Sequence, residues 1–196
     1  MKHLFDLGGR VAVVTGALGR LGPGDAALVV ETLRSIAEDV AEEPEVRGSA
    51  LASVGAVAEP WVEDLIFDAL ESGEPALRLG AIGAMGRTAE EVWVPTLLDL
   101  MESSDEDERA VAATAAGEIG AEDAVPPLGD LLDDESLDVV LAAAAALGEI
   151  GGPEALERLG ARRAHPDREV REAVAEAIVE AGLTDDPLGL RRGPAS

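Results

Sequence analysis

The sequence predicts an all-α fold, a right-handed α-solenoid of stacked helical hairpins. Three observations lead there. A 31-residue repeat runs through most of the 196-residue chain. Within each copy, small and apolar residues return at spacings of three, four and seven, which mark one face of an α-helix. The composition lacks Tyr and Cys and has only 2% aromatic residues, so helices must pack through Ala, Leu, Val and Gly rather than large rings or disulfides.

The first helix of each copy is read from five segments: 45–55, 76–86, 107–117, 138–148 and 169–179, each 31 residues after the last with no insertion. Arg47, Arg78, Arg109, Val140 and Arg171 form one column, for which pairing with acids of the neighbouring repeat is the expected role rather than anion binding. Three residues on stand Ala50, Ala81, Ala112, Ala143 and Val174, small enough for close helix approach. Seven after the Arg column come Val54, Met85, Ala116, Leu147 and Ile178. Gly55, Gly86, Gly117 and Gly148 follow, suited either to a C-terminal turn or to a tight crossing. Val179 breaks that column. Glu43, Glu74, Asp105, Ser136 and Asp167 precede each helix, where an acid or Ser favours the positive end.

A second helix follows in each copy, over 59–72, 90–103, 122–135 and 152–165, with Ile66, Leu97, Leu128 and Leu159 as its apolar column. Pro60, Pro153 and the Pro126-Pro127 pair fall in opening turns, where a missing N–H costs little. Pro95 is expected in a first turn as well. One such helix pair cannot bury its own apolar face, so neighbours must stack.

These repeats resemble HEAT repeats, in particular the short type of phycobilisome-lyase-like HEAT proteins. The likeness spans residues about 42–183 and is carried by "VRGSALASVG" (46–55), "VREAVAEAIVEAG" (170–182) and "LGEIGGPEALERL" (147–159). Val140 in place of Arg, and Glu108 in place of the usual Val, depart from the pattern. The resemblance implies that second helices line a concave face. On that basis Trp61 and Trp93, at the starts of adjacent second helices, are the expected partner contacts, with core filling as the alternative. It also implies an alternative function, since some relatives handle bilin chromophores as attachment or detachment factors.

Residues 1–41 read as an atypical N-terminal repeat or cap, in which 25–41 is a second helix. "RVAVVTGALGRLG" (10–22) has two homes. Its end, within residues 17–28, parallels 146–156, with Gly19 and Gly22 matching Gly148 and Gly151, and within residues 4–22 it also resembles the first strand and Gly-rich turn of short-chain dehydrogenases, Gly16, Gly19 and Gly22 being the matching residues. That second resemblance implies a nicotinamide-dinucleotide contact at a helix N-terminus. A working dehydrogenase is excluded, because the family's Tyr and Lys pair cannot be assembled from a chain with no Tyr and Lys2 as its sole Lys. Residues 184–196 read as a flexible C-terminal tail.

The chain carries 40 acidic and 15 basic residues, a net charge of −25. Such a surface repels phosphate backbones, so no nucleic acid is expected. It suits either a salt-rich habitat that screens self-repulsion or a basic protein partner. No apolar run approaches the length of a membrane span, and the N-terminus has no signal-peptide pattern, so a cytoplasmic protein without membrane contact is expected. No nucleophile–base–orienter set, no metal site and no cofactor site can be assembled. "SSDEDE" (103–108) and "DDES" (133–136) lack calcium-hand spacing and read as capping turns. "ARRAH" (161–165) reads as charge balance at a helix C-terminus. The sequence therefore predicts a non-catalytic scaffold or adaptor that binds protein through a concave acidic surface.

Overall fold

Each first helix starts where its capping column turns the chain from extended to helical. Glu43, Glu74, Asp105 and Ser136 all sit in the extended region immediately before a helix. Asp105 accepts from the Asp107 N–H at 2.9 Å, and Asp167 from the Glu169 N–H at 2.7 Å, satisfying amide groups that a helix start leaves open.

The computed structural model describes residues 23–57 and 59–185. The helices are α1 (Pro23–Glu38), α2 (Pro44–Val54), α3 (Pro60–Glu71), α4 (Pro75–Thr88), α5 (Val94–Leu100), α6 (Glu106–Ile119), α7 (Val125–Leu131), α8 (Leu137–Ile150), α9 (Gly152–Gly160) and α10 (Arg168–Asp185). Short 3₁₀ turns, Glu91–Trp93 and Glu122–Ala124, lead into α5 and α7. Among the described residues there is no strand, and no helix is long and apolar enough to cross a membrane. Residues 10–22, with their two possible readings, lie outside the described residues. So does the tail beyond 185, while α10 itself continues through Asp185.

The chain divides into two units, Met1–Ala89 and Glu90–Ser196. In the first, α2 and α4 pack face to face, with α1 on α2 and α3 on α4. In the second, α6 and α10 both pack on α8, with α5 on α6, α7 on α8 and α9 on α10. Each unit is thus built as stacked helix pairs of an α-solenoid, first helices against first helices.

The small-residue column makes that stacking possible. Ala50, Ala81, Ala112, Ala143 and Val174 are all fully buried, as are Val54, Met85, Ala116 and Leu147. In the first unit α2 and α4 meet at Gly48 and Gly80, where a Cβ added to Gly80 would stand 2.3 Å from the Gly48 carbonyl oxygen. In the second, a Cβ on Gly117 would stand 2.8 Å from the Ala146 Cα, and one on Gly148 would stand 2.9 Å from the Ala177 Cα. The Gly column therefore serves the tight crossing. The helix-ending turn falls three residues later, at Ala89 (φ 53°), Gly120 (φ 73°) and Gly151 (φ 69°).

Second helices present Ile66, Leu97, Leu128 and Leu159 inward, each fully buried. Burial of such a side chain contributes about 1.5–3 kcal/mol. Pro95 and the Pro126-Pro127 pair lie in the first turns of α5 and α7, as their chemistry requires. The α-helical parts there are only seven residues long, because the preceding turn winds as 3₁₀.

Candidate interaction surface

Every arginine of the column donates to a backbone carbonyl. Arg47 Nε donates to the Ala37 carbonyl at 3.1 Å, Arg78 Nη1 to Leu70 at 2.7 Å and Arg171 Nη1 to His165 at 2.7 Å. Arg47 and Arg78 thereby close the end of the preceding second helix, where carbonyls lack partners and the helix dipole is negative, while Arg171 holds the turn at His165 and Pro166 beyond α9. Arg109 holds an acid as well. It donates to the Ser103 carbonyl at 2.9 Å and clasps Asp134 through Nε and Nη2, both at 2.8 Å. The guanidinium holds the Asp134 carboxyl below its ordinary range, and the Ser136 N–H assists. Arg109 does pair with an acid, but Asp134 stands just after the second helix of its own repeat rather than of a neighbouring one. For Arg47 and Arg171 the carbonyl contacts are the ones seen, and Arg78 makes one as well, a role that helix-end geometry could have suggested from the spacing alone.

Asp134 falls in the same column as Ser72, 62 residues earlier. There the acid is missing, and a cavity of about 210 Å³ opens beside Arg47, lined also by Ala37, Glu38, Leu51, Asp68 and Ser72. A shallower recess of about 490 Å³ in the second unit has Val94, Pro95 and Leu98 as apolar lining, with Glu91, Glu122 and Asp123 at its edge.

The second helices carry carboxylates where a helix least favours them. Asp68 and Glu71 end α3, Asp99 and Glu102 lie at and after the end of α5, and Asp130 and Asp133 do the same at α7. None of these three helices has a basic residue in its last turn. In the second unit part of this charge is answered internally. Arg158 of α9 lies 3.6 Å from Asp130, and Arg162 pairs with Asp133. Arg158 and Arg162 thus draw α9 and its following turn toward α7, a more specific role for this basic cluster than charge balance at a helix end. In the first unit Glu63, Asp64, Asp68 and Glu71 make no ion pair among the described residues.

The two tryptophans have different surroundings. Trp93 closes the 3₁₀ turn before α5 and is 4% exposed, so its ring fills core. Trp61, in the first turn of α3, is half-buried, with the Arg34 guanidinium 4.7 Å above its ring centre. Arg34 Nε also donates to Glu38 at 2.9 Å. Among the described residues the exposed aromatic is Phe67, 55% accessible on α3. Sequence reasoning passed over it, although it follows the buried Ile66 by one residue, a turn of about 100° that carries a side chain out of the core.

On the first helices of the second unit, Glu118, Glu149 and Glu180 recur at the 31-residue step. Partial burial pushes the Glu149 carboxyl above its ordinary range, and the charges of Glu180 and Glu118 push it further. Among the described residues no group of His, Asp or Glu side chains has metal-binding geometry. Ser103 and Asp105 of the acidic "SSDEDE" stretch cap the start of α6.

The chain matches the sequence profile of HEAT repeats over residues 30–109 and 94–179. Among solved structures it is similar to a designed armadillo repeat protein in complex with the peptide (KR)4, with 17% identity and a TM-score of 0.56, over 87% of this chain and 99% of that one. A second designed armadillo repeat protein gives 18% identity and a TM-score of 0.53 over 87% and 99%. Human deoxyhypusine hydroxylase in complex with glycerol gives 18% identity and a TM-score of 0.49 over 88% and 84%. No curated protein matches the chain in sequence.

Proposed function

The chain belongs to the HEAT-repeat family, and from that membership we propose a non-catalytic scaffold that binds a protein partner through the acidic face of its second helices. One observation carries the reading. α3, α5 and α7 each place two carboxylates at or just after the helix end, where the macrodipole is negative and each acid costs about 0.3–1 kcal/mol. The same pair returns at the 31-residue step: Asp68 and Glu71, Asp99 and Glu102, Asp130 and Asp133. A requirement for negative surface accounts for acids set against the stability of their own helices. A basic protein surface answers it, and screening by salt weakens the match. The designed armadillo repeat protein that shares this fold was solved with a basic peptide, which agrees in kind.

Trp61 is the tryptophan we assign to partner contact, since it is only half-buried and the Arg34 guanidinium stacks over its ring. Trp93 shapes the start of α5 from within. The test is capture at native ionic strength with the unaltered chain, an Asp68→Asn/Glu71→Gln variant and a Trp61→Ala variant in parallel. A stoichiometric partner, weakened in both variants and released by salt, supports the scaffold. A partner retained equally by all three contradicts the assigned face. The alternative, bilin handling, draws on the resemblance of residues 147–159 to lyase-type repeats. A coloured complex with free bilin would favour it. A remnant dinucleotide contact at Gly16, Gly19 and Gly22 is a third reading, removed by failure to bind a nicotinamide cofactor.

A further inference from the structure

The cavity beside Arg47 is an arginine seat left without its acid. Two repeats on, Arg109 and Asp134 occupy the same two columns, and the carboxylate lies on the guanidinium through two bonds of 2.8 Å. In the first unit Ser72 stands in the acid's place. Its hydroxyl donates to the Ala69 carbonyl at 2.7 Å and accepts from the Glu74 N–H at 3.2 Å, so it is committed to the turn. Arg47 Nε donates to the Ala37 carbonyl at 3.1 Å, and its terminal nitrogens have no partner among the described residues. A volume of about 210 Å³ remains beside them.

The lining selects the guest. Arg47 supplies the positive charge, and a guanidinium fork matches a carboxylate in shape as well as in sign. Leu51 and Leu77, both buried, form an apolar wall with Ala37 and Ala69. Two acids also reach the cavity. Glu38 is held by Arg34 at 2.9 Å, whereas Asp68 has no ion pair among the described residues. A simple anion would be repelled by Asp68, and a phosphate more so. A guest with an ammonium beside its carboxylate answers both charges. An apolar cavity of about 150 Å³ holds benzene, so this one has room for about eight heavy atoms. That is the size of an α-amino acid with a short branched aliphatic side chain.

We propose that this cavity binds a free aliphatic α-amino acid of the size of valine. Its carboxylate lies on the terminal nitrogens of Arg47, its ammonium turns to Asp68, and its side chain packs on Leu51 and Leu77. The site goes beyond the protein-binding reading and stands without it. Arg47 and Leu51 belong to α2, Ala69 to α3 and Leu77 to α4, so the guest ties three helices of one unit together.

The test follows backbone amide chemical shifts of the full chain as L-valine is added. Saturable changes are expected at Ala37, Arg47 and Leu51. Arg47→Gln removes the charge and should weaken binding at least about tenfold. Ser72→Asp sets a carboxylate beside Arg47 from within and should abolish binding, with circular dichroism melts verifying that the variant folds. Isobutylamine, which lacks the carboxylate, should not bind. Isovalerate, which lacks the ammonium, should bind roughly threefold more weakly than valine. N-acetylvaline stands for the carboxylate end of a protein chain and should also bind more weakly. Isovalerate or N-acetylvaline binding as tightly as valine overturns the amino-acid assignment, the second result giving the seat to a chain terminus instead. Valine binding that is unchanged in Arg47→Gln or in Ser72→Asp, or absent from the unaltered chain, overturns the site outright.

Discussion

The two units use one repeat pattern in different ways. In the first, α2 and α4 bring backbone against backbone at Gly48 and Gly80, and Arg47 faces a cavity of about 210 Å³ where a partner acid is missing. In the second, Gly117 and Gly148 meet Ala146 and Ala177, and Arg109 closes on Asp134 through two bonds of 2.8 Å. Their outer faces differ in the same sense. The second unit answers Asp130 and Asp133 with Arg158 and Arg162, while the first leaves Glu63, Asp64, Asp68 and Glu71 around an exposed Phe67. A shared period fixes which side chains meet the core; it leaves open which of the remaining charges are answered internally.

The largest effect should come from breaking the glycine contact. Gly80→Ala forces α2 and α4 apart, because its Cβ would meet the Gly48 backbone, and a loss of about 3 kcal/mol is expected in urea unfolding. Gly160→Ala, at the end of α9 with nothing within 4 Å, should instead gain about 0.5 kcal/mol from helix propensity. Equal losses at both positions would erase the distinction between a crossing glycine and an unconstrained one.

Removing the clasp comes next. Asp134→Asn should cost about 2 kcal/mol, since the carboxylate is only 10% exposed and bonded in charge-assisted fashion. Its pH behaviour follows from the lowered folded-state value: the stabilisation is full above the ordinary Asp range near about 4 and is lost as pH falls toward the folded value. The converse change sharpens the comparison. Ser72→Asp supplies the acid missing beside Arg47 and can still accept from the Glu74 N–H as Ser72 now does, so a gain of up to about 1 kcal/mol is expected.

Smaller effects separate strain from charge. Ala89 holds the left-handed conformation that Gly120 holds in the next copy, so Ala89→Gly should raise stability by about 1 kcal/mol. Glu149→Gln should raise the melting temperature at neutral pH. Here the sign is opposite to that of Asp134. The folded value is raised, so ionised Glu149 lowers stability above that value, and the advantage of the variant should fade as pH falls through it. Arg158→Ala should change stability by less than about 1 kcal/mol, since the ion pairs it makes are exposed.

Much of the fold was legible because the 31-residue step repeats the same physical demand. The column from Ala50 to Val174 had to be small, and every member is fully buried. The capping column from Glu43 to Asp167 lies at helix starts as read. What the period does not carry over is a residue that leaves its column: Trp93 takes the column of buried Val62 and fills core, whereas Trp61 takes the column of exposed Val92 and stays half-buried. Similarly, the pairing of Arg109 with Asp134 and of Arg47 with a carbonyl depends on the residue at the end of the repeat's own second helix, Asp134 in one case and Ser72 in the other. Phe67 escaped notice because an outward aromatic leaves no periodic trace.

The central claim is that the open acidic face of the first unit, not the internally answered face of the second, receives a basic partner. Backbone amide chemical shifts recorded while octa-arginine is added test it most directly. The account predicts that shift changes concentrate on α3 and the adjoining end of α1. Changes centred on α7 and α9, or spread evenly over every acidic position, would contradict it.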